Sequence, residues 1–522
     1  MKQLTQLLTA RLSQLKSERE PFDSVWRKVA LYESERLTSF APADSQTARR
    51  AAMLRRHSRD LDNTCRQAVT VFAAGMLSGV CPPAEQWFSL RVGEASGGDD
   101  LQHYPPVARW LGQVEQMLLR DFAQKNFYAQ QVASFKNLAL YGMQCMLVGE
   151  DRRLGTYYRS VPVDEIYITE DATGRVNQVF RQMRLTLAQA VQLFGKRLSP
   201  RLRRLAGAKR ANPQTPVEVV HAVMERGTAL TRELEDAAGA SVRDARGAAL
   251  PWLSFHFEPG EEHCLGAGGY GHMPYIVTRA YADGSSPYSV SPGTLALADV
   301  LMVNEIKRLL LQAGQLSVAP PMLMPDRGLV GRLNYASGAI NTFRKDGTTS
   351  VADFQPLPLV GEFRLGRELL EQAQKDINAA FFVDLFMMIH QRVQAGGTPT
   401  AMEVQQLAGE KSFLLAPILT NQQQENFNRL FERVYALKQL VPGAMPPPPP
   451  ELAGADLEMG YLSPLVRAQQ GVKLRGLIQG AQEVAALAQL FPEAATVVDA
   501  VALATQIARH HYLPLAQGGQ YA

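Results

Sequence analysis

The chain has 522 residues, 46% hydrophobic and 20% charged, which excludes an intrinsically disordered protein and leaves room for several globular domains. Its 54 Lys and Arg against 50 Asp and Glu leave a net charge of only +4, so no strongly basic surface for gripping nucleic acid is advertised. Its longest apolar run, Phe381 to Ile389, is interrupted by Asp384 and falls far below the ~18 residues of a membrane span. Cys65, Cys81, Cys145 and Cys264 lie far apart without a C-x-x-C pair, which argues for buried reduced thiols and against zinc or a disulfide framework.

The amino terminus, MKQLTQLLTARL, lacks a long apolar core and a small-residue cleavage site, so no signal peptide is expected. Leu4, Leu8, Leu12 and Leu15 predict a short amphipathic helix, and Phe22, Val25, Trp26 and Val29 a second. Between residues 45 and 59, Arg49, Arg50, Arg55, Arg56, His57 and Arg59 form the most basic cluster, a solvated face or a contact for acidic or nucleic-acid partners. Residues 62 to 80 read as a helix of small and apolar residues ending at Gly79. The two prolines of CPPAEQWF (81–88) stop it, and Trp87-Phe88 offers a large area for burial.

Helical patterns follow from Val107 to Asn126 and from Phe135 to Tyr141. Strand character then appears at Cys145–Val148, Tyr157–Val161, Glu165–Thr169, Val176–Met183, Val217–Val223 and Tyr275–Arg279, predicting an α+β region that reaches residue 286. Glu165, Glu170 and Asp171 read as surface carboxylates rather than a catalytic pair. Gly266, Gly268 and Gly271 match G-x-G-x-x-G, but a phosphate loop must open a helix, and Pro274 with a strand-like segment follows instead. No G-x-x-x-x-G-K-[ST] occurs. His263 beside Cys264 and the pair His510-His511 lack partners at metal spacing, so no metal site, catalytic residue or cofactor is expected.

The middle of the chain organises the rest. Leu297, Val300, Leu301, Leu309, Leu310, Ala313 and Leu316 predict a helix of about 25 residues, from Pro292-Gly293 to the stop at Pro320-Pro321. A second helix from Glu362 to Asp384 carries Arg364, Arg367, Glu368, Glu371, Gln374, Lys375 and Asn378 as one polar stripe. Leu365, Leu369, Ala373, Ile377 and Phe381 on its other side can pack on the first helix. Between them, Met322–Met324, Leu329–Leu333, Ala339–Phe343 and Val351–Phe354 read as short strands. The bland alternative is an ordinary αα-hairpin. Helix resumes over Gln405–Leu440, Pro442–Pro450 reads as a polyproline linker, and Ser463–Ile507 as alanine-rich helices.

A series of blocks in a fixed order resembles the head-to-tail connecting, or portal, proteins of short-tailed double-stranded DNA bacteriophages. These are GVCPPAEQWFSL (79–90), YGMQCMLVGED (141–151), VPVDEIYITEDATGRV (161–176), FRQMRLTLAQAVQLFG (180–195), MPYIVTRAY (273–281), PYSVSPGTLALADVLMVNEIKR (287–308), APP (319–321) and YLSPLVRAQ (461–469). Two positions depart from the family pattern: Ser289 follows Tyr288 where a Tyr-Gly pair is usual, and Tyr281 stands where a Trp is common.

The resemblance implies a mainly helical α+β portal fold in a twelve-membered ring: a wing (1–286), a first stem helix (287–318), a clip (319–360) and a second stem helix (361–387). A tunnel loop and return helices (388–440), a proline-rich linker and helical crown (441–513) and a tail (514–522) complete it. Arg364, Arg367, Glu371 and Lys375 are expected to line a DNA channel with mixed charge, or else to form salt bridges between adjacent subunits. Arg392, Gly396 and Gly397 belong to the expected tunnel loop, for which a plain helix-to-helix turn is the alternative. Arg332, Asn334, Tyr335, Arg344 and Lys345 are the expected clip contacts.

Implied partners are further copies of the chain, the terminase large subunit, tail adaptor or nozzle proteins, major capsid and scaffolding proteins, and double-stranded DNA, without membrane insertion. The implied location is the portal vertex of the virion, with the host cytoplasm during assembly. The competing reading is an intracellular nucleic-acid-processing enzyme using the α+β region.

Overall fold

Leucines at positions 4, 8, 12 and 15 fall on one side of a 3.6-residue repeat, and all four are buried. In the computed structural model they lie on α1 (Lys2–Tyr32), one continuous helix where the sequence predicts two. Pro21 sits inside it and removes a backbone donor. On one side of that proline, buried Arg19 pairs with Asp23 at 2.9 Å and donates to the carbonyls of Val163 at 3.2 Å and Ile166 at 2.5 Å. Such anchoring outweighs a local break.

The structure describes residues 2–32, 61–93, 101–102, 104–151, 155–208, 211–238, 248–261, 263–282, 284–326, 334, 336–344, 355–356, 363–387, 413–441, 443–452, 454–463, 482 and 484. The predicted basic cluster at 45–59, the strands at Leu329–Leu333 and Val351–Phe354, the loop at 391–400, His510-His511 and the tail lie outside them, as does all but a few residues of Ser463–Ile507. After α1 come α2 (Thr64–Val80), β1 (Phe88–Val92), α3 (Pro105–Gln124), α4 (Phe127–Tyr141), β2 (Met143–Asp151), β3 (Gly155–Val161), β4 (Ile166–Glu170) and β5 (Val176–Thr186). Next are α5 (Leu187–Phe194), α6 (Pro200–Gly207), β6 (Pro216–Glu225), α7 (Ala229–Ala238), β7 (Trp252–Phe257), β8 (Cys264–Tyr270) and β9 (Tyr275–Arg279). Then follow α8 (Pro292–Val318), β10 (Met322–Asp326), β11 (Ile340–Arg344), β12 (Gln355–Pro356), α9 (Phe363–Ala380) and α10 (Val383–Phe386). Last come α11 (Ala416–Asn421), a π turn at Gln422–Phe427, α12 (Asn428–Leu440) and β13 (Leu457–Tyr461).

Contacts divide the chain into two compact units, one of Met1–Asp23, Thr70–Ser291 and Val383–Ala522, the other of Ser24–Val69 and Pro292–Phe382. The larger unit is built on an antiparallel sheet in the order β4-β5-β6-β7-β8. Alternation sends Phe180, Ala222 and Phe255 to one face, where they pack with the α1 leucines and Leu234. The opposite face carries Val217 and Val219, covered by Leu187, Ala190 and Leu202 of α5 and α6. A T-x-x-Q capping box starts α5, with Thr186 accepting from the Gln189 backbone and the Gln189 side chain bonded to the Thr186 backbone N–H.

A second sheet, in the order β3-β2-β9, lies against α4. Gly142 ends α4 with φ +73°, and a Cβ there would come within 2.4 Å of the Ser289 carbonyl oxygen, so only glycine fits. Ser289 Oγ in turn accepts from the Tyr281 backbone N–H at 2.8 Å, joining the two positions that depart from the family pattern. Trp87 is fully buried, with the rings of Phe88, Phe122 and Phe427 all within 6 Å of its own, as its sequence setting predicts.

Three expectations need correction. Glu165 and Glu170 are half-buried rather than open surface carboxylates: Glu165 pairs with buried Arg181 at 2.9 Å, and Glu170 with buried Arg279 at 2.6 Å, because buried arginines require an anion. The described part of the proline segment is no free spacer, since Trp110 Nε1 donates to the Pro446 carbonyl at 3.0 Å and β13 pairs antiparallel with β1. The second long helix ends at Ala380 rather than Asp384, because Phe382 adopts φ 56°, a left-handed conformation that terminates a helix. The four cysteines are free and buried, and burial pushes the Cys145 thiol up to about 12.

Candidate functional site

The smaller unit joins α8 and α9 around a three-stranded insert of order β11-β10-β12. Twenty-seven residues at 1.5 Å each make α8 about 40 Å long. Apolar residues predominate along it, interrupted by Asp299, Asn304, Glu305, Lys307, Arg308, Gln312 and Gln315. Yet only Pro292, Gly293, Ala296, Val300 and Val303, all in its first half, are buried. Leu309 is 50%, Leu311 55% and Val318 89% exposed. A run of exposed leucines on a long helix marks a surface that another protein covers.

Packing of α9 agrees with the sequence only in part. Ala373, Ile377 and Phe381 are buried, but Leu365 is 54% and Leu369 48% exposed, because two helices in one layer leave one flank open. Gly366 permits the close approach, since a Cβ there would lie 3.0 Å from Leu310 Cδ2. Arg364, Arg367, Glu368, Glu371 and Lys375 are all exposed, and Arg364 pairs with Glu368 at 2.9 Å within the helix. These five residues form a solvated face of mixed sign, whereas Gln374 and Asn378, expected on the same stripe, are half-buried and Gln374 bonds Asp62.

One carboxylate that the sequence does not single out holds the assembly together. Asp62 Oδ1 accepts from the Thr64 backbone N–H at 2.7 Å, and Oδ2 accepts from Gln374 Nε2 at 2.9 Å and pairs with Lys307 Nζ at 2.5 Å. It thus ties the start of α2 to α8 and α9. Burial pushes its carboxyl up, but bonds from Lys307, Thr64 and Gln374 outweigh burial and hold it below the usual carboxylate value. Asn304 Oδ1 adds bonds to the backbone N–H groups of Leu61 and Asp62 at 3.2 and 3.3 Å. The available signal was Asp62-Asn63-Thr64, an aspartate just ahead of a helix. On the facing helices Asp299 and Asp376 come near each other, and burial followed by the Asp376 charge raises the Asp299 carboxyl.

In the insert, β10 runs parallel to β11 and antiparallel to β12. Among the predicted contact residues, Asn334 is exposed and its side chain accepts from the Ala336 backbone N–H at 3.0 Å, shaping the turn before β11. Arg344 closes β11. Arg332, Tyr335, Lys345, Arg392, Gly396 and Gly397 lie outside the described residues. Gly266 and Gly268 belong to strand β8, which runs to β9 without an intervening helix, so no phosphate loop exists there. His263 Nε2 bonds the Arg197 carbonyl oxygen at 2.9 Å. Among the described residues no three His, Cys, Asp or Glu converge as metal ligands, and no helix is long and apolar enough to cross a membrane.

Relatives of the chain are found among bacteriophage proteins. The chain is 30% identical over 507 residues to a probable portal protein of Bordetella phage BPP-1, covering 95% of this chain and 85% of that one. It is 28% identical over 499 residues to the portal protein of Salmonella phage epsilon15, covering 94% and 84%. Among solved structures, a chain in the neck of an empty GTA particle aligns over 80% of this chain and 85% of that chain, with 11% identity and a TM-score of 0.37, too low to carry an argument. The family model for the bacteriophage head to tail connecting protein matches residues 5–514. With that match spanning nearly its whole length, the chain belongs to the bacteriophage head to tail connecting protein family.

Proposed function

We propose that the chain is the subunit of a portal ring, a structural conduit and not an enzyme, at one capsid vertex of a double-stranded DNA bacteriophage. The observation that carries this reading is α8, whose distal half exposes leucines, in a chain matched by the connector family from residue 5 to 514. Identical neighbours in a closed ring cover such a surface on every subunit at once. In this reading residues 1–286 form the wing, 287–318 and 361–387 the stem, and 319–360 the clip. Residues 388–440 form the tunnel loop and return helices, 441–513 the linker and crown, and 514–522 the tail.

The exposed stripe of Arg364, Arg367, Glu371 and Lys375 faces the DNA path. Alternating sign there avoids the counterion-release affinity that an unbroken row of Arg and Lys would add at each phosphate. Arg392, Gly396 and Gly397 form a loop that touches DNA at the narrowest point. The clip, with Arg332, Asn334, Tyr335, Arg344 and Lys345, meets the terminase large subunit during packaging and a tail adaptor or nozzle protein afterwards. Capsid and scaffolding proteins contact the outer parts, and assembly takes place in the host cytoplasm before the ring resides in the virion.

Native mass measurement with negative-stain imaging tests the core of this reading. A ring of twelve 57.5 kDa chains has a mass of about 690 kDa and shows a central hole. A small oligomer that turns over nucleotide would refute it and favour the processing-enzyme alternative.

A further inference from the structure

Gly266 of β8 makes room for Arg197, since a Cβ there would lie 3.1 Å from its guanidinium, but among the described residues nothing packs against Gly268 or Gly271. A Cβ built at Gly268 or Gly271 meets nothing within 4 Å. Glycine weakens a strand, and where no bulge or crowding calls for it, it marks the approach of a ligand or another backbone. The one register shift between β7 and β8 lies at His256/Phe257, away from both. β8 is also the last strand of its sheet, with β7 as its only ladder partner among the described residues.

Beside it opens a cleft of about 950 Å³, walled by Gly269 to Gly271, β2, β3, β5 and α12. That is the upper end of the ~300–1,000 Å³ range of ligand pockets. The ladder sets Arg181, His221 and His256 in one row on the face turned toward it. His221 and His256 stack with ring centres 3.9 Å apart, and both are held neutral, chiefly by burial. The charge on this wall therefore comes from arginines. Arg181 is neutralised by Glu165, whereas Arg159 and Arg197 have no ion pair among the described residues.

Arg433 of α12 is the decisive group. Its residue is only 7% exposed, it lines the cleft, and among the described residues its Nε has no hydrogen-bond partner. Its guanidinium lies 5.2 Å from the centre of the Tyr270 ring, and one Nη reaches the His272 carbonyl oxygen only at 3.4 Å. A buried guanidinium with spare donors and no carboxylate in direct contact is costly unless a further anion arrives. Glu150 is the one acidic side chain lining this cavity, and its charge acts on Arg433 without forming an ion pair with it. The rim is apolar, with Leu193 57% and Leu440 73% exposed.

We propose that this cleft is a docking groove for an extended acidic peptide of a partner protein, in which Asp or Glu alternates with large apolar side chains. Carboxylates meet Arg433, Arg159 and Arg197 in charge-assisted hydrogen bonds. Apolar side chains cover Leu193 and Leu440, which a phosphodiester backbone would leave exposed. The peptide main chain lies along β8, in the manner of strand addition to a sheet edge. Nothing in this assignment requires that the chain form a ring.

The test uses the full chain and a fluorescein-labelled peptide of about eight alternating Glu and Leu residues, followed by anisotropy. Saturable binding is expected, with a Lys/Leu peptide of equal length failing to bind. The double variant Arg159→Gln, Arg197→Gln should weaken binding by about tenfold or more. Gly271→Val should weaken it similarly while leaving the melting temperature unchanged, since its side chain enters open space. Unaltered affinity in both variants overturns the proposal. So does tighter binding of a single-stranded oligodeoxynucleotide of equal charge that the same variants abolish, which would make the groove a nucleic-acid site. Binding confined to a monomeric fraction also overturns it, by showing that a second copy of the chain fills the cleft.

Discussion

Removing the Asp62 carboxylate should loosen the α8–α9 pair before the rest of the chain responds. The Asp62 side chain is 4% exposed against 30% for Lys307, so the pair is buried on one side and half-solvated on the other. Breaking a fully buried pair costs about 3–5 kcal/mol, but Lys307 can regain water, which discounts Asp62→Ala to about 2–3 kcal/mol. Asp62→Asn keeps an acceptor for Thr64 or Gln374 and should cost about 1–2 kcal/mol. A chain with two units does not unfold in one step, so the assay is hydrogen exchange resolved on α8 and α9 peptides rather than a global melt. An opening free energy lower by 2–3 kcal/mol accelerates exchange roughly 30- to 150-fold. Because the folded carboxyl titrates below its unfolded value, this stabilisation is complete above the unfolded value and is lost as pH falls through the folded one. Wild-type protection in α8 and α9 should therefore fall in acid, and that component should be missing in Asp62→Asn. Exchange in α8 and α9 changed by less than about threefold in Asp62→Ala would refute the role assigned to this residue.

Arg279→Gln should destabilise the larger unit by about 3–5 kcal/mol, because buried Arg279 pairs with Glu170 and Glu425, each at 2.6 Å; a thermal shift no larger than that of a surface substitution would contradict this. His256 is held neutral to about pH 4 by burial and by the Arg197 charge, so stability is full above its unfolded value near 6.5 and declines as pH falls toward 4; an NMR titration midpoint above 6 would show otherwise. Glu368→Lys with Glu371→Lys should tighten double-stranded DNA binding by the assembled protein and steepen its salt dependence by about 0.9 per new phosphate contact, whereas unchanged salt dependence would place the stripe away from DNA. Gly396→Ala with Gly397→Ala should impair DNA passage or retention while leaving assembly intact, and normal packaging and retention in that variant would favour a plain turn.

Much of the fold was legible because short-range patterns decide it. The leucine repeat at 4, 8, 12 and 15 and the prolines at 292 and 320 each act within one or two helical turns, and each appears where the sequence places it. The six strands predicted between Cys145 and Arg279 were found within a few residues of their expected ends. What escaped depends on distant partners. Pro21 looks like a helix end until Arg19 is seen reaching the carbonyls of Val163 and Ile166. β8, with the sequence CLGAGGY, has poor strand propensity and is held by its ladder to β7. β13 is a strand because β1 lies beside it.

The candidate site divides along the same line, and the division bears on which residues are worth mutating. A stripe such as Arg364, Arg367, Glu371 and Lys375 is visible from spacing alone, since helical geometry puts those residues on one side whatever else the chain does. The Asp62 knot and the Arg433 cleft have no such periodicity. Asp62 gains its meaning from Lys307 and Gln374, and Arg433 from Tyr270 and His272, partners brought close only by tertiary packing. A periodic face can lose one charge and keep its character, because its neighbours carry the same property. A largely buried ion pair such as Asp62 with Lys307 has no such redundancy: once one partner is removed, the other is left without its counter-charge. Single substitutions should therefore act strongly at Asp62 and weakly along the α9 stripe, where only changes to several charges together alter the character of the face.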